Sequence, residues 1–83
     1  MTLDKFKTEQ KLRIVRISGG HGTRQRLYQL GLFEGTAIIV KQNSRLGGPL
    51  LIECNGSRIA LGRGMAQKID VEEIESDVIP LEK

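Results

Sequence analysis

The side chains with the widest chemical reach in this 83-residue chain are one histidine, His21, one cysteine, Cys54, and seven arginines, at positions 13, 16, 24, 26, 45, 58 and 63. His21 lies in Ser18-Gly19-Gly20-His21-Gly22, which runs on into Thr23-Arg24-Gln25-Arg26-Leu27. A glycine-rich turn feeding a helix is the form of a phosphate cradle. The Walker type, however, needs Gly-Lys-Ser/Thr and a lysine that reaches the β- and γ-phosphates, and the stretch has neither. The dinucleotide pattern fails too, for want of its third glycine. An anion on free N–H groups and Arg24 stays physically open, but a chain-reversing corner is the favoured reading.

An imidazole on a glycine loop can ligate a metal, yet stable sites converge three or four ligands and the sequence places no His or Cys partner near His21. No metal site is therefore assigned, with His21 the one weak candidate. A hard-oxygen site using Glu34 or the acidic tail, and a metal bridging two chains through His21, are left open. No Ser/His/Asp or Cys/His grouping supports catalysis, so the expectation is a non-enzyme without a cofactor. The arginines give the kind of basic surface that attracts nucleic acid. Only Phe6, Tyr28 and Phe33 are available to stack on bases, however, and the spacing assigns Phe33 partly to the core, so no nucleic-acid partner is expected.

These side chains need a scaffold. Lys11–Ile17 alternates apolar and basic residues and predicts a strand. After the glycines, Thr23 as N-cap, Leu27 and Leu30 on one side and Gly31 as the stop predict a helix of about two turns. Isolated helices this short are marginal, so Leu27, Leu30 and Leu32 must dock on a sheet. Phe33-Glu34-Gly35 makes a turn, and residues 36–42 predict a second strand with Ile38 and Val40 inward. Residues 44–49, Ser-Arg-Leu-Gly-Gly-Pro, form a long connection. Asn55-Gly56 is the preferred pair for a two-residue type I′ hairpin, which would set Cys54 opposite Ser57, Glu53 opposite Arg58, Ile52 opposite Ile59, Leu51 opposite Ala60 and Leu50 opposite Leu61. Cys54 then falls on the core face as a small buried residue, its nearness to the turn leaving exposure open. Residues 62–67 hold two glycines and predict a turn or a single 3-10 turn. Residues 68–73 alternate again as a last strand with Ile69 and Val71 inward. Five strands, one short helix and glycine-marked corners predict a mainly β fold, a small, strongly curved antiparallel barrel with closed sheet edges.

The length allows one domain, read as residues 1–74 with an acidic and apolar tail at 75–83. A fold this small has little room for an enclosed active site. A lone cysteine fits a reducing compartment, and neither a leader nor an apolar run near 18 residues is present, so the expectation is a cytoplasmic protein. Residues 1–69 carry twelve Lys/Arg against four Asp/Glu, net +8, and residues 70–83 one against six, net −5. The basic part suits an acidic partner.

The stretches RLYQLGLFEGTAIIV and GGPLLIECNGSRIALGRGMAQKIDVE closely resemble the FeoA family of bacterial ferrous iron transport proteins, over about Thr2 to Glu73. The resemblance rests on the RL..LG helix, the Gly35 turn, the GGP loop, the IAL strand and the ending with Ala66, Ile69 and Val71. It implies an SH3-like barrel in the cytosol working beside FeoB, a membrane transporter with a cytoplasmic G-protein domain. The chain departs from the pattern at Gly62 and Gly64, which flank Arg63 where members more often carry helix-forming residues, and in its tail. The barrel also resembles the C-terminal domain of repressors of the diphtheria toxin repressor type. The first reading is thus an adaptor, peripheral to the membrane through its partner, that binds the FeoB-type transporter and supports or regulates it. The alternative is a metal-responsive regulatory or nucleic-acid-associated module. Charge and loop placement nominate Arg24, Arg26 and Tyr28 of the helix and Arg45, Leu46 and Gly47 of the long loop as partner contacts. Leu46 serves there as an apolar anchor or folds back on the barrel, and self-association is left open.

Overall fold

The computed structural model describes residues 1–44 and 46–74, and all five expected strands are present in it. They are β1 (Lys11–Ile17), β2 (Ala37–Asn43), β3 (Leu50–Cys54), β4 (Ser57–Leu61) and β5 (Ile69–Glu73). Helix α1 (Gly20–Gln29) joins β1 to β2, the four-residue helix α2 (Arg63–Ala66) joins β4 to β5, and a 3-10 turn at Leu3–Lys5 precedes β1. The predicted tail at 75–83 and Arg45 lie outside the described residues.

The strands form one antiparallel sheet in the order β4-β3-β2-β1-β5. Register shifts between Ile14 and Arg16 and between Val40 and Gln42 mark irregularities of the kind that bend and twist a strand, and they help the sheet curl around its core. The expectation of closed edges needs correcting. β4 and β5 are the two edges of the sheet and α2 links them instead of a ladder, while the N-terminus covers part of β5, with the Val71 N–H donating to the Met1 carbonyl at 2.9 Å.

The β3–β4 hairpin has the predicted register at all five pairs. Asn55 (φ 51°) and Gly56 (φ 83°) both adopt the positive φ that a type I′ turn requires. Leu50, Ile52 and Leu61 are buried and Ile59 packs against the core, while Glu53 and Arg58 pair at 3.8 Å on the other face. The core adds Leu12, Ile14, Ile38, Val40, Ile69 and Val71 from the other strands. Leu3, Leu27, Leu32 and Ala66 plug it from outside the sheet, each fully buried.

Residues 63–66 form an α-helical turn rather than the looser turn that the two glycines suggest, with Ala66 N–H donating to the Gly62 carbonyl at 3.0 Å. Burial of Ala66 and the side-chain bonds of Arg63 outweigh the weak helix propensity of Gly64.

Candidate functional site

The corner after β1 is built from two successive left-handed glycines, Gly19 (φ 98°) and Gly20 (φ 84°). The positive φ of Gly19 favours glycine there, and a Cβ would in addition force the Lys68 and Thr23 side chains to shift, coming within 2.9 Å of Lys68 Cδ and Thr23 Oγ1. Gly19 occupies the N-cap. Thr23 is therefore not the cap; it lies in the first helical turn, along with His21 and Gly22, and α1 has ten residues.

The other end of α1 closes in a Schellman motif. Leu32 N–H donates to the Leu27 carbonyl and Gly31 N–H to the Tyr28 carbonyl, both at 2.9 Å, around Gly31 at φ 86°. The motif brings Leu32 against Leu27, and both are fully buried. Leu30, expected to dock beside them, instead becomes the C-cap and is 45% exposed. Two leucines and one cap thus hold the helix, their burial contributing roughly 1.5–3 kcal/mol each.

With the helix fixed this way, His21, Arg24, Gln25 and Tyr28 fall on one stripe, spaced i, i+3, i+4 and i+7. Together with Ile17 and Phe33 they line an open notch of about 450 Å³. Tyr28 and Phe33 are 65% and 46% exposed, their ring centroids 5.3 Å apart and tilted by 42°. Phe33 is therefore a surface residue and not the partial core residue its spacing suggested. Beside it, Arg24 Nη1 donates to the Ile17 carbonyl at 2.7 Å and Nη2 to Glu34 Oε2 at 2.9 Å. Arg26 falls about 200° round the helix from Arg24 and does not line the notch. It is exposed and without a partner among the described residues.

The long loop lies elsewhere. β1 leads into α1 past the Ala37 end of β2, whereas the loop leaves β2 at Asn43, so seven residues, about 20 Å of strand, separate the two nominated surfaces. Leu46 does not fold back: it is 96% exposed, its N–H donating to Ser44 Oγ. Gly47 borders a polar cleft of about 580 Å³ with Lys5, Lys7, Asn43 and Arg63. Polar groups there bind one another. Asn43 Nδ2 donates to the Asp4 and Phe6 carbonyls at 3.1 and 2.7 Å, and Arg63 Nη2 donates to Asn43 Oδ1 and the Ser44 carbonyl, both at 2.7 Å. Arg63 Nε is buried and unpaired among the described residues.

The remaining arginines are also engaged: Arg13 with the Gly35 carbonyl, Arg16 with Asp70 and Arg58 with Glu53. His21 is exposed, and among the described residues no group of three or more His, Cys, Asp or Glu comes together. Cys54 is buried at 5% exposure with Sγ 3.9 Å from the Gly31 carbonyl, and loss of solvation pushes its thiol pKa upward. No helix among the described residues is long and apolar enough to cross a membrane. Charge and placement alone missed Ile17, Gln25 and Phe33 as notch residues, and Glu34 as the partner of Arg24. The sequence signal for Phe33 and Glu34 was their place in the turn straight after the helix stop.

Comparison with known proteins gives a consistent result. The sequence profile described as "FeoA domain" matches residues 1–73. A relative from Methanocaldococcus jannaschii named "Putative Fe(2+) transport protein A" is 39% identical over 69 residues, covering 83% of this chain and 82% of its own. A crystal structure titled iron uptake regulatory protein (FeoA) superposes with a TM-score of 0.84 at 34% identity, over 89% of this chain and 97% of that one. The structure of ScaR with bound Zn2+ superposes at 0.81 and 26% identity over 89% of this chain, but over only 37% of its own length.

Proposed function

The chain belongs to the FeoA family, and from that premise we propose that it is a non-enzymatic, cytoplasmic accessory protein of ferrous iron uptake that docks on the cytoplasmic region of a FeoB-type membrane transporter and supports or regulates it. Family membership supports the iron uptake role. The single observation behind docking is the Tyr28–Phe33 pair, two contacting aromatic rings exposed to water, one on α1 and one in the turn after it, beside a helix anchored through Leu27 and Leu32. Such side chains cost hydration free energy in the free protein and regain it at an interface, where aromatics are the commonest anchors.

Titration calorimetry of the purified chain against the purified cytoplasmic region of the transporter tests this. The expected result is saturable binding that Tyr28→Ala weakens, with unchanged thermal unfolding. Absence of heat with both proteins folded would sink the docking reading.

A second reading, a metal-responsive regulatory module, is favoured by one observation, the fold shared with ScaR. That repressor has nearly two-thirds of its length outside the shared part. Titrating the chain with ferrous or zinc ions, and with duplex DNA at two salt concentrations, discriminates the two. Stoichiometric metal binding, or DNA affinity that falls steeply with salt, would favour the module.

A further inference from the structure

The notch beside α1 has an apolar floor and one arginine on its rim, Arg24, which among the described residues pairs with the Glu34 carboxylate. Ile17, Tyr28 and Phe33 supply the apolar surface, with His21, Arg24 and Gln25 along one wall. The Arg24 guanidinium is fixed by Nη1 on the Ile17 carbonyl, so its direction does not depend on Glu34. The second contact, Nη2 to Glu34 Oε2 at 2.9 Å, joins two half-exposed side chains. Exposed pairs of this kind exchange readily, because solvent screening leaves them worth little.

Resting on the docking reading above, we infer that the notch takes an acidic amphipathic segment of the partner: one apolar side chain packs over Ile17 against the Tyr28–Phe33 pair, and a carboxylate replaces Glu34 on Arg24. Glu34 is an internal stand-in for that carboxylate. It keeps the arginine neutralised in the free protein and lowers affinity for any anionic partner until displaced. The chain's net charge of +3 adds a weak longer-range attraction for the same charge type.

The test uses two synthetic amphipathic peptides with identical apolar positions, one carrying Glu and the other Lys at its polar positions, and in parallel the cytoplasmic region of the transporter. The Glu peptide binds the wild-type chain and the Lys peptide does not. Glu34→Gln tightens the Glu peptide about two- to fivefold at low salt, the range an exposed ion pair allows, and the gain disappears in about 1 M salt. Tyr28→Ala weakens it about tenfold. Arg26→Gln, off the notch, preserves the gain from Glu34→Gln.

Equal binding of the two peptides, or a Glu34→Gln chain that binds the Glu peptide no better, overturns the inference. Thermal unfolding of each variant separates loss of fold from loss of contact. If the transporter region binds but is indifferent to Glu34→Gln and Tyr28→Ala, docking stands and the notch chemistry falls. If the Glu peptide behaves as described and the transporter region does not bind, the notch chemistry stands and the transporter reading falls.

Discussion

The two ends of β2 finish in opposite kinds of surface. At the Asn43 end the polar groups bind one another: Asn43 bridges the N-terminal segment, Arg63 bridges Asn43 to the loop, and Leu46, the most exposed large apolar residue among the described ones, stands alone. At the Ala37 end the backbone closes itself in the Schellman motif, leaving contacting aromatic side chains in water beside a fixed arginine. Both ends are basic and both held nominated residues, so charge alone does not rank them. What separates them is how the exposed apolar groups are placed: at the Asn43 end polar side chains tie distant segments together and Leu46 stands apart, whereas at the Ala37 end two exposed rings touch beside a fixed arginine.

The contrast breaks first if α1 is not anchored as described. Leu27→Ala removes the fully buried residue that meets Leu32, and should destabilise by about 3 kcal/mol, a fall in Tm of roughly 12–24 °C. A fall below about 4 °C would mean the helix is held some other way.

Next, Asn43→Ala deletes the donor to two carbonyls and the acceptor for Arg63, for about 2 kcal/mol by denaturant unfolding. Binding to the transporter region should stay unchanged after correction for the unfolded fraction. A folded Asn43→Ala protein that no longer binds would move the docking surface to this end.

The smallest effect concerns Cys54. Burial raises its folded thiol pKa above the unfolded value, so the stability it contributes is fully present below the ordinary thiol range and is lost as pH rises through it. Unfolding curves on the alkaline side should therefore fall less steeply for Cys54→Ala than for the wild type. Equal slopes would show that the thiol meets solvent beside Gly31.

The parts of this contrast differ in how far they could be read from residues alone. The β3–β4 register was legible because Asn55-Gly56 admits one tight turn and a one-residue slip would bury Glu53 and Arg58. Leu30 was misassigned because helical spacing set it beside Leu27; the Gly31 stop and the docking of Leu32 were expected, but the cap geometry turns Leu30 outward. Thr23 looked like a cap because the glycines before it are poor helix formers; Gly19 turns the chain early enough for the helix to start at Gly20. Arg63 read as surface charge and Glu34 as a turn residue, since side-chain bonds between segments distant in sequence leave no local pattern. Of the nominated contacts, Arg24 and Tyr28 line one notch with His21, Arg26 stands off it, and Leu46 and Gly47 lie at the far end of β2.

The most direct measurement is a paired titration of the transporter's cytoplasmic region with Tyr28→Ala and with Leu46→Asp, each with wild-type thermal unfolding. Docking through α1 predicts that Tyr28→Ala weakens binding about tenfold, near 1.4 kcal/mol, while Leu46→Asp leaves it unchanged. Loss of binding by Leu46→Asp together with wild-type affinity in Tyr28→Ala would place the interface at the loop and contradict the account.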